Sequence, residues 1–362
     1  MTTARLRFSD QIIAWQKSSG RHHLPWQNTK DAYRIWVSEI MLQQTQVAAV
    51  IPYYARFMAQ FPSIQALASA PDDTVLAAWA GLGYYSRARN LKACANLIVS
   101  EHRGIFPRDM DAVMALPGIG RSTAAAILSF STGQSLPIMD GNVKRVFCRY
   151  FGVEGDPSST LVTKTLWDIA QKEVAAASIA SYNQGLMDLG ATLCTRSRPN
   201  CDHCPIADSC NALKTDRVLQ LPNKKRRAIS PTRRPVFLLL MHGSRIWLER
   251  QPAPGIWAGL YSLPRLVDDA SDECNITDAV AQWLAHRAWA PKTLPDSQPV
   301  LSRRFKHAFT HFKLDAQVWR LELKCAPLLA NEPGRGFYSE QELAQLGLPK
   351  PIQTLLKDLF VF

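Results

Sequence analysis

Residues Leu116–Arg145, LPGIGRSTAAAILSFSTGQSLPIMDGNVKR, decide the fold. Pro117, Gly118 and Gly120 stand before RSTAAAILSF, a run of good helix formers, and after the apolar helical pattern MDAVMAL. The stretch therefore reads as helix, glycine-rich hairpin, helix over residues 111–130. Glycine tolerates positive φ and close backbone approach, and free amides at a helix start attract phosphate. Ser122 or Thr123 is available to cap the second helix. An ordinary helix–helix turn has the same local pattern. What separates the two readings lies downstream, where Asp140 is followed by Gly141 and Asn142 as a turn and then by Val143, Lys144 and Arg145. A carboxylate would then stand beside a phosphate grip.

Working outward, the composition suits that reading. The chain of 362 residues is long enough for two domains with cores of their own, and a hydrophobic content of 47% excludes disorder as a description of the whole. Forty-two Lys and Arg against 30 Asp and Glu give +12, an excess that suits a polyanion or a solvated basic surface. No apolar run approaches the ~20 residues of a membrane span, and MTTARLRFSDQIIAWQ has no signal-peptide core. The expectation is a cytosolic protein with reduced thiols.

Upstream of the hairpin, Phe8, Ile12, Ile13 and Trp15 suggest a short helix, and KSSGRHHLPWQ a basic turn. In DAYRIWVSEIMLQQTQVAAVIPYYARF, Asp31 is placed to cap a helix whose buried stripe is Tyr33, Trp36, Val37, Ile40, Val47 and Ile51. Glu39 falls beside the stripe, where it is either a solvated helix glutamate or a carboxyl at a cleft rim with a raised pKa. GLGYYSRARN combines a flexible turn, two aromatics and two arginines, the residue types that wedge base stacks and hold phosphates. Tyr84 and Tyr85 equally suit half-buried helix positions.

Downstream, Cys194, Cys201, Cys204 and Cys210 are spaced C-x6-C-x2-C-x5-C, with Arg196 and Arg198 between the first two. Four clustered thiols in a reducing compartment mean metal, and four thiolates suit zinc or an iron–sulfur cluster. Lys224, Lys225, Arg226, Arg227, Arg233 and Arg234 lie between prolines in a stretch read as an extended basic linker, residues 213–234. From Pro235 onward the pattern alternates. VFLLLMHGSRIWLERQ is strand, His-Gly turn, strand; a helix follows from Ala279 to Arg287, then FKHAFTHFKLDAQVWRLEL as strands, then a last helix.

LPGIGRSTA followed by MDGNVKR resembles the helix-hairpin-helix, Gly/Pro-rich loop and aspartate signature of the endonuclease III superfamily of DNA glycosylases. WVSEIMLQQTQV, GLGYYSRARN, the cysteine spacing and the C-terminal layout narrow the resemblance to the MutY adenine glycosylases. It covers about residues 8–212 through specific motifs and 235–362 through looser ones. It implies an all-α helix-hairpin-helix glycosylase domain over 1–212 with an iron–sulfur loop at 194–210, and a small α+β Nudix-like domain over 235–362. The R-E-x-x-E-E helix that holds Mg²⁺ in Nudix hydrolases is missing from LVDDASDECNITDAVAQWLAHR, which leaves a domain that binds without hydrolysing.

Residue by residue, the resemblance makes Glu39 the catalytic acid and base, Asp140 the carboxylate that stabilises the cationic sugar, and Asn142 its orienting partner. It puts Trp26, Gln27, Gln184 and Ser122 around an extruded adenine, Gln44 and Tyr84 in the base stack, and Leu116, Gly118, Gly120 and Lys144 against DNA. The four cysteines would hold a 4Fe-4S cluster. Phe309, Thr310 and His311 stand where the family reads 8-oxoguanine opposite the target, Thr310 replacing the usual serine. Lyase relatives carry lysine where this chain has Ser122, so base removal without strand scission is expected.

The implied partner is duplex DNA with an 8-oxoguanine·adenine mispair, bound by a monomer in the bacterial nucleoid, with repair or replication proteins as further partners. Three rival readings differ in testable ways. An endonuclease III-like pyrimidine lyase needs the lysine, a non-catalytic DNA-binding module needs only the hairpin, and a Nudix hydrolase needs the metal helix.

Overall fold

The structure is a computed structural model that describes residues 7–175, 177–223, 230–270, 275–287, 298–309, 311–324 and 331–360. Contacts divide the chain into two compact units, Met1–Ser69 with Asn90–Arg227, and Ala70–Arg89 with Ala228–Phe362. The grouping of Ala70–Arg89 with the C-terminal residues is not visible in the sequence pattern.

The first unit is helical. Its elements are α1 (Phe8–Ser19), α2 (Ala32–Leu42), α3 (Val47–Gln60), α4 (Ile64–Ser69), most of α6 (Ser86–Glu101), α7 (Met110–Met114), α8 (Arg121–Thr132), α9 (Gly141–Phe151), α10 (Thr160–Glu173), α11 (Ile179–Thr192) and α12 (Asn211–Lys214). Helix α2 starts where expected, because the Asp31 carboxylate accepts from Tyr33 N at 2.9 Å. Tyr33, Trp36, Val37 and Ile40 form its buried face. The stripe does not run on through one helix, however: α2 stops at Leu42, Gln44 takes a left-handed φ of 56°, and Val47 opens α3. Phe8, Ile12, Phe147, Leu166, Tyr182 and Leu189 knit α1, α9, α10 and α11 into a core, each burial contributing about 1.5–3 kcal/mol. Among the described residues no helix is long and apolar enough to cross a membrane.

The second unit carries α5 (Asp72–Trp79), the Gly81–Tyr85 turn and the start of α6. Its sheet is built from β1 (Thr232–Arg233), β2 (Val236–His242), β3 (Arg245–Arg250), β4 (Tyr261–Ser262), β5 (Arg265–Val267), β6 (Val300–Ala308), β7 (Lys313–Glu322), β8 (Asn331–Glu332) and β9 (Arg335–Tyr338). The order is β1-β7-β2-β3-β9-β8, with β4 on β3, β5 on β2 and β6 on β7. VFLLL is a continuous apolar run because β2 is covered on both faces, parallel to β7 and antiparallel to β3.

Helix α13 spans Ile276–Ala285, slightly earlier than expected, capped by the Asn275 side chain. It packs Val280, Trp283 and Leu284 against Leu238, Leu240 and Trp247. Glu249 is engaged by Arg287 and by Trp247 Nε1, so it serves as a structural anion. Short α14 (Glu340–Leu343) and α15 (Lys350–Phe360) close the unit. Thr310, Cys274, Cys325 and the linker residues Lys224–Arg227 lie outside the described residues.

Candidate active site and nucleic-acid interface

A cavity of about 680 Å³ in the helical unit is lined by Trp26, Gln27, Glu39, Leu42, Gln184 and Met187, among others. The volume lies within the ~300–1,000 Å³ of small-molecule sites. Trp26 is buried edge-on to Tyr54 at 5.4 Å. Gln27 spends both ends of its amide on backbone, accepting from Leu24 N at 3.0 Å and donating to Arg21 O at 2.9 Å. Gln184 donates through Nε2 to Asp188 at 2.8 Å. Asp188 is 0% exposed and paired with Arg21 at 2.7 Å. Arg21 and Asp188 escaped the sequence reading because 167 positions separate them. The one available signal was the placement of Asp188 a turn beyond Gln184 on α11.

Glu39 opens on this cavity, yet the protein around its carboxyl strips away solvent. That desolvation, aided by the negative charge of Asp140, pushes its pKa up to about 8. Asp140 has different company. It caps α9, accepting from Val143 N at 2.8 Å and from Asn142 Nδ2 at 3.1 Å, and Arg145 adds a favourable charge. Burial still raises its pKa, while these groups pull the other way. Burial raises both carboxyls, but only at Asp140 do hydrogen-bond donors and a neighbouring cation offset it. Asn142 is itself oriented by Arg145, whose Nη2 donates to Asn142 Oδ1 at 2.8 Å and to Gly190 O at 2.6 Å. A Cβ at Gly190 would lie 2.6 Å from that of Asn142, so glycine is what allows α11 so close.

A second cavity, about 910 Å³, includes Asp140 with Gln44, Lys144, Arg145, Arg149 and Arg196 and shares Arg21, Leu42 and Val47 with the first. Its cationic lining suits phosphate. Gln44 is exposed. Lys144 donates to Pro157 O at 3.0 Å, so its ammonium is already engaged.

In the hairpin, Gly118 has φ +78° and packs so tightly on Asn90 that a Cβ would meet Asn90 Nδ2 at 2.8 Å. Gly118 and Gly120 are exposed, while the Leu116 side chain is buried. The expected caps are corrected. Gly120 is the N-cap of α8 and no side chain caps it, which leaves the first amides for an outside acceptor. The Ser122 hydroxyl accepts from Met139 N at 2.9 Å, tying the helix to the strand of chain that delivers Asp140. Thr123 faces Gln43 Nε2 at 3.4 Å.

In the second unit Tyr84 is 46% exposed at a left-handed φ of 49°, beside Arg87. Phe309 stacks on Phe312 at 4.8 Å and meets His307 edge-on at 4.7 Å, and His311 is exposed.

Cys194, Cys201, Cys204 and Cys210 line one small cavity with Val146, Leu193 and Ile206. Burial first, and then the neighbouring thiols, raise the pKa of Cys201 and Cys210 and push Cys204 up to about 12. By donor type, four cysteines suit a thiolate-ligated cluster. Among the described residues, no group of three or more His, Cys, Asp or Glu is arranged to hold a metal ion. Arg149 donates to Cys194 Sγ at 3.3 Å and Thr195 O at 2.7 Å, which supports the loop from α9.

Residues 37–172 match the HhH-GPD superfamily of base excision DNA repair proteins, and residues 236–358 match the NUDIX domain. The adenine DNA glycosylase of Buchnera aphidicola (subsp. Schizaphis graminum) is 34% identical over 351 residues, covering 97% of this chain and 98% of that protein. The human adenine DNA glycosylase is 34% identical over 408 residues, covering 98% of this chain and 73% of its own. Among solved structures, a thermostable thymine-DNA glycosylase superposes with a TM-score of 0.53 at 28% identity, covering 57% of this chain and 95% of that one. Both adenine DNA glycosylases are matched over more than two thirds of their own length and across both halves of this chain. The chain therefore belongs to the MutY family of adenine DNA glycosylases, base-excision repair enzymes with a helix-hairpin-helix domain and a Nudix-like domain.

Proposed function

We propose that this enzyme removes adenine paired with 8-oxoguanine or guanine and leaves an abasic site. The observation that carries the reading is the unequal pair, a desolvated Glu39 that keeps its proton to about pH 8 beside an Asp140 held by helix amides, Asn142 and Arg145.

Adenine leaves the stack, at a lower cost from a mispair, and enters the cavity between Trp26, Gln27 and Gln184. Glu39 donates its proton to N7 as the C1′–N9 bond breaks, its electron pair staying with the base. A positioned acid supplies about 10²–10⁴ in rate. Asp140, ionised, stabilises the oxocarbenium sugar. Water then adds to C1′ and its proton returns to Glu39.

Ser122 offers no amine for a Schiff base, which supports hydrolysis without strand scission. Gly118, Gly120 and the bare start of α8 suit phosphate, and Gln44 and Tyr84 suit entry into the stack. The hairpin carrying Phe309 and His311 suits the oxidised purine opposite. Cys194, Cys201, Cys204 and Cys210 would hold a 4Fe-4S cluster, whose chemistry here is to organise a basic loop.

Single-turnover cleavage of a duplex with adenine opposite 8-oxoguanine, resolved with and without hot alkali, tests this directly. Product only after alkali is expected. Breaks without alkali would establish lyase chemistry, and tight binding with no product would leave a recognition module.

A further inference from the structure

The segment that carries Tyr84 is fastened to the C-terminal sheet. Gly81 N donates to the Tyr85 hydroxyl at 3.2 Å, and that hydroxyl donates in turn to Leu348 O at 3.4 Å. One phenol thus bridges the first residue of the Gly81–Tyr84 turn to the loop before α15. On the other flank, Arg89 Nη1 donates to Ala258 O at 2.6 Å, and its stem passes 4.0 Å from where a Cβ of Gly259 would sit. Helix α5 adds an ion pair, Asp73 to Arg250 at 2.8 Å, and Leu76, which would lie 2.9 Å from a Cβ at Gly347. The two tyrosines that the sequence presents as equivalent therefore have opposite fates. Tyr85 is anchored, and its neighbour Tyr84 is thrown outward at positive φ.

We infer that Tyr85 and Arg89 are positioning residues that make the Tyr84 wedge part of the lesion-reading unit, so that contact with the oxidised base opposite the target and insertion of the wedge occur as one event. This rests on the function proposed above. The turn between Trp79 and Ser86 has two glycines at positive φ, Gly81 at 102° and Gly83 at 75°, and is steadied from within by Trp79 Nε1 and Arg87 Nη2, which donate to Gly83 O at 3.3 and 3.1 Å. What fixes this locally braced segment against the rest of the unit is Ala258 and Leu348, in the same unit as Phe309 and His311. A force that seats the unit on an oxidised guanine is then felt at Tyr84 through two hydrogen bonds and a packed helix. On a guanine·adenine pair no lesion contact forms, and the fastening has nothing to transmit.

The test uses the full-length enzyme, comparing wild type with Tyr85→Phe, which keeps the ring and removes the bridging hydroxyl, and with Arg89→Met, which keeps the stem. Single-turnover excision of adenine opposite 8-oxoguanine and opposite guanine is measured for each. Wild type should prefer 8-oxoguanine. Each variant should lower that preference by about ten-fold, from loss of roughly one or two hydrogen bonds, with the rate opposite guanine held within about two-fold.

With 2-aminopurine at the target position, the fluorescence rise that reports flipping should slow opposite 8-oxoguanine alone. An unchanged preference in both variants overturns the inference by itself. Equal losses on the two duplexes also overturn it, since they reveal a structural or phosphate-binding role. A wild type with no preference overturns the lesion-reading function, and the inference with it.

Discussion

Glu39 and Asp140 are both carboxylates, and their division of labour comes from what surrounds each. The rate of excision should fall as pH rises through about 8, where Glu39 loses its proton. It should fall again on the acid side as Asp140, raised by burial, gains one. Glu39→Gln should cost about 10²–10⁴ in rate, measured in single turnover; a flat alkaline limb in wild type would remove Glu39 as the acid.

Stability falls in the same direction, over a wider window. A glutamate whose folded pKa is raised from 4.5 to about 8 is increasingly disfavoured in the fold as pH rises across that window, since the unfolded chain ionises first. Glu39→Gln should therefore melt higher than wild type at pH 8.5, by ~1–2 kcal/mol once its opening on the cavity is discounted, with no gain at pH 4. Equal melting differences at the two pH values would contradict the assignment. Ser122 makes a separate prediction. Ser122→Ala leaves Met139 N without its acceptor, costing about 1 kcal/mol and loosening the chain that delivers Asp140, so melting temperature and rate should both drop. A rate loss with unchanged melting would point instead to a direct role for the hydroxyl.

At the level of elements, the hairpin shows what sequence can and cannot convey. Its existence was legible, because LPGIG between two helical patterns leaves few alternatives, whereas Gly141 and Asn142, read as a turn, instead open α9 with Asp140 as its N-cap. The cap was not legible. Ser122 and Thr123 look like caps by position, but a bond to Met139, 17 residues away, claims the serine and leaves α8 capped by Gly120 alone. The long stripe from Tyr33 to Ile51 likewise hid a break, because a left-handed Gln44 carries no compositional signal. Gly118→Ala tests the hairpin as an element. It adds strain at φ +78° and a contact with Asn90 that must give way, so the loop amides turn away from their target. Affinity for duplex should weaken by about ten-fold, corresponding to the ~1–2 kcal/mol of a displaced left-handed residue. Chemistry at saturating enzyme should survive. Undiminished binding, titrated by anisotropy, would show that phosphate is held elsewhere.

On the scale of the whole molecule, contiguity in sequence is a poor guide to what packs together. Ala70–Arg89 sits inside the stretch matched to the glycosylase superfamily, yet its contacts join it to residues more than 150 positions later. No periodicity or composition could reveal this, since α5 is an ordinary short amphipathic helix whose partner surface is made by Gly259, Gly347 and Leu260. The Asp73–Arg250 pair is a minor part of the joint, because both side chains are over a third exposed and such pairs contribute ~0–1 kcal/mol. The tight part is steric. Gly347 is buried, and an added side chain would meet Leu76 at 2.9 Å and Leu260 at 3.1 Å, an overpacking that costs ~1–3 kcal/mol. Gly347→Val should therefore lift α5 from the sheet far more effectively than Asp73→Ala. Hydrogen exchange reads the difference, with amides of residues 72–79 losing protection in Gly347→Val and keeping it in Asp73→Ala, while amides of α8 and α9 remain as in wild type. If the amides of α5 stay protected in Gly347→Val, the segment is held by its sequence neighbours, and the division of the molecule falls at the basic linker alone.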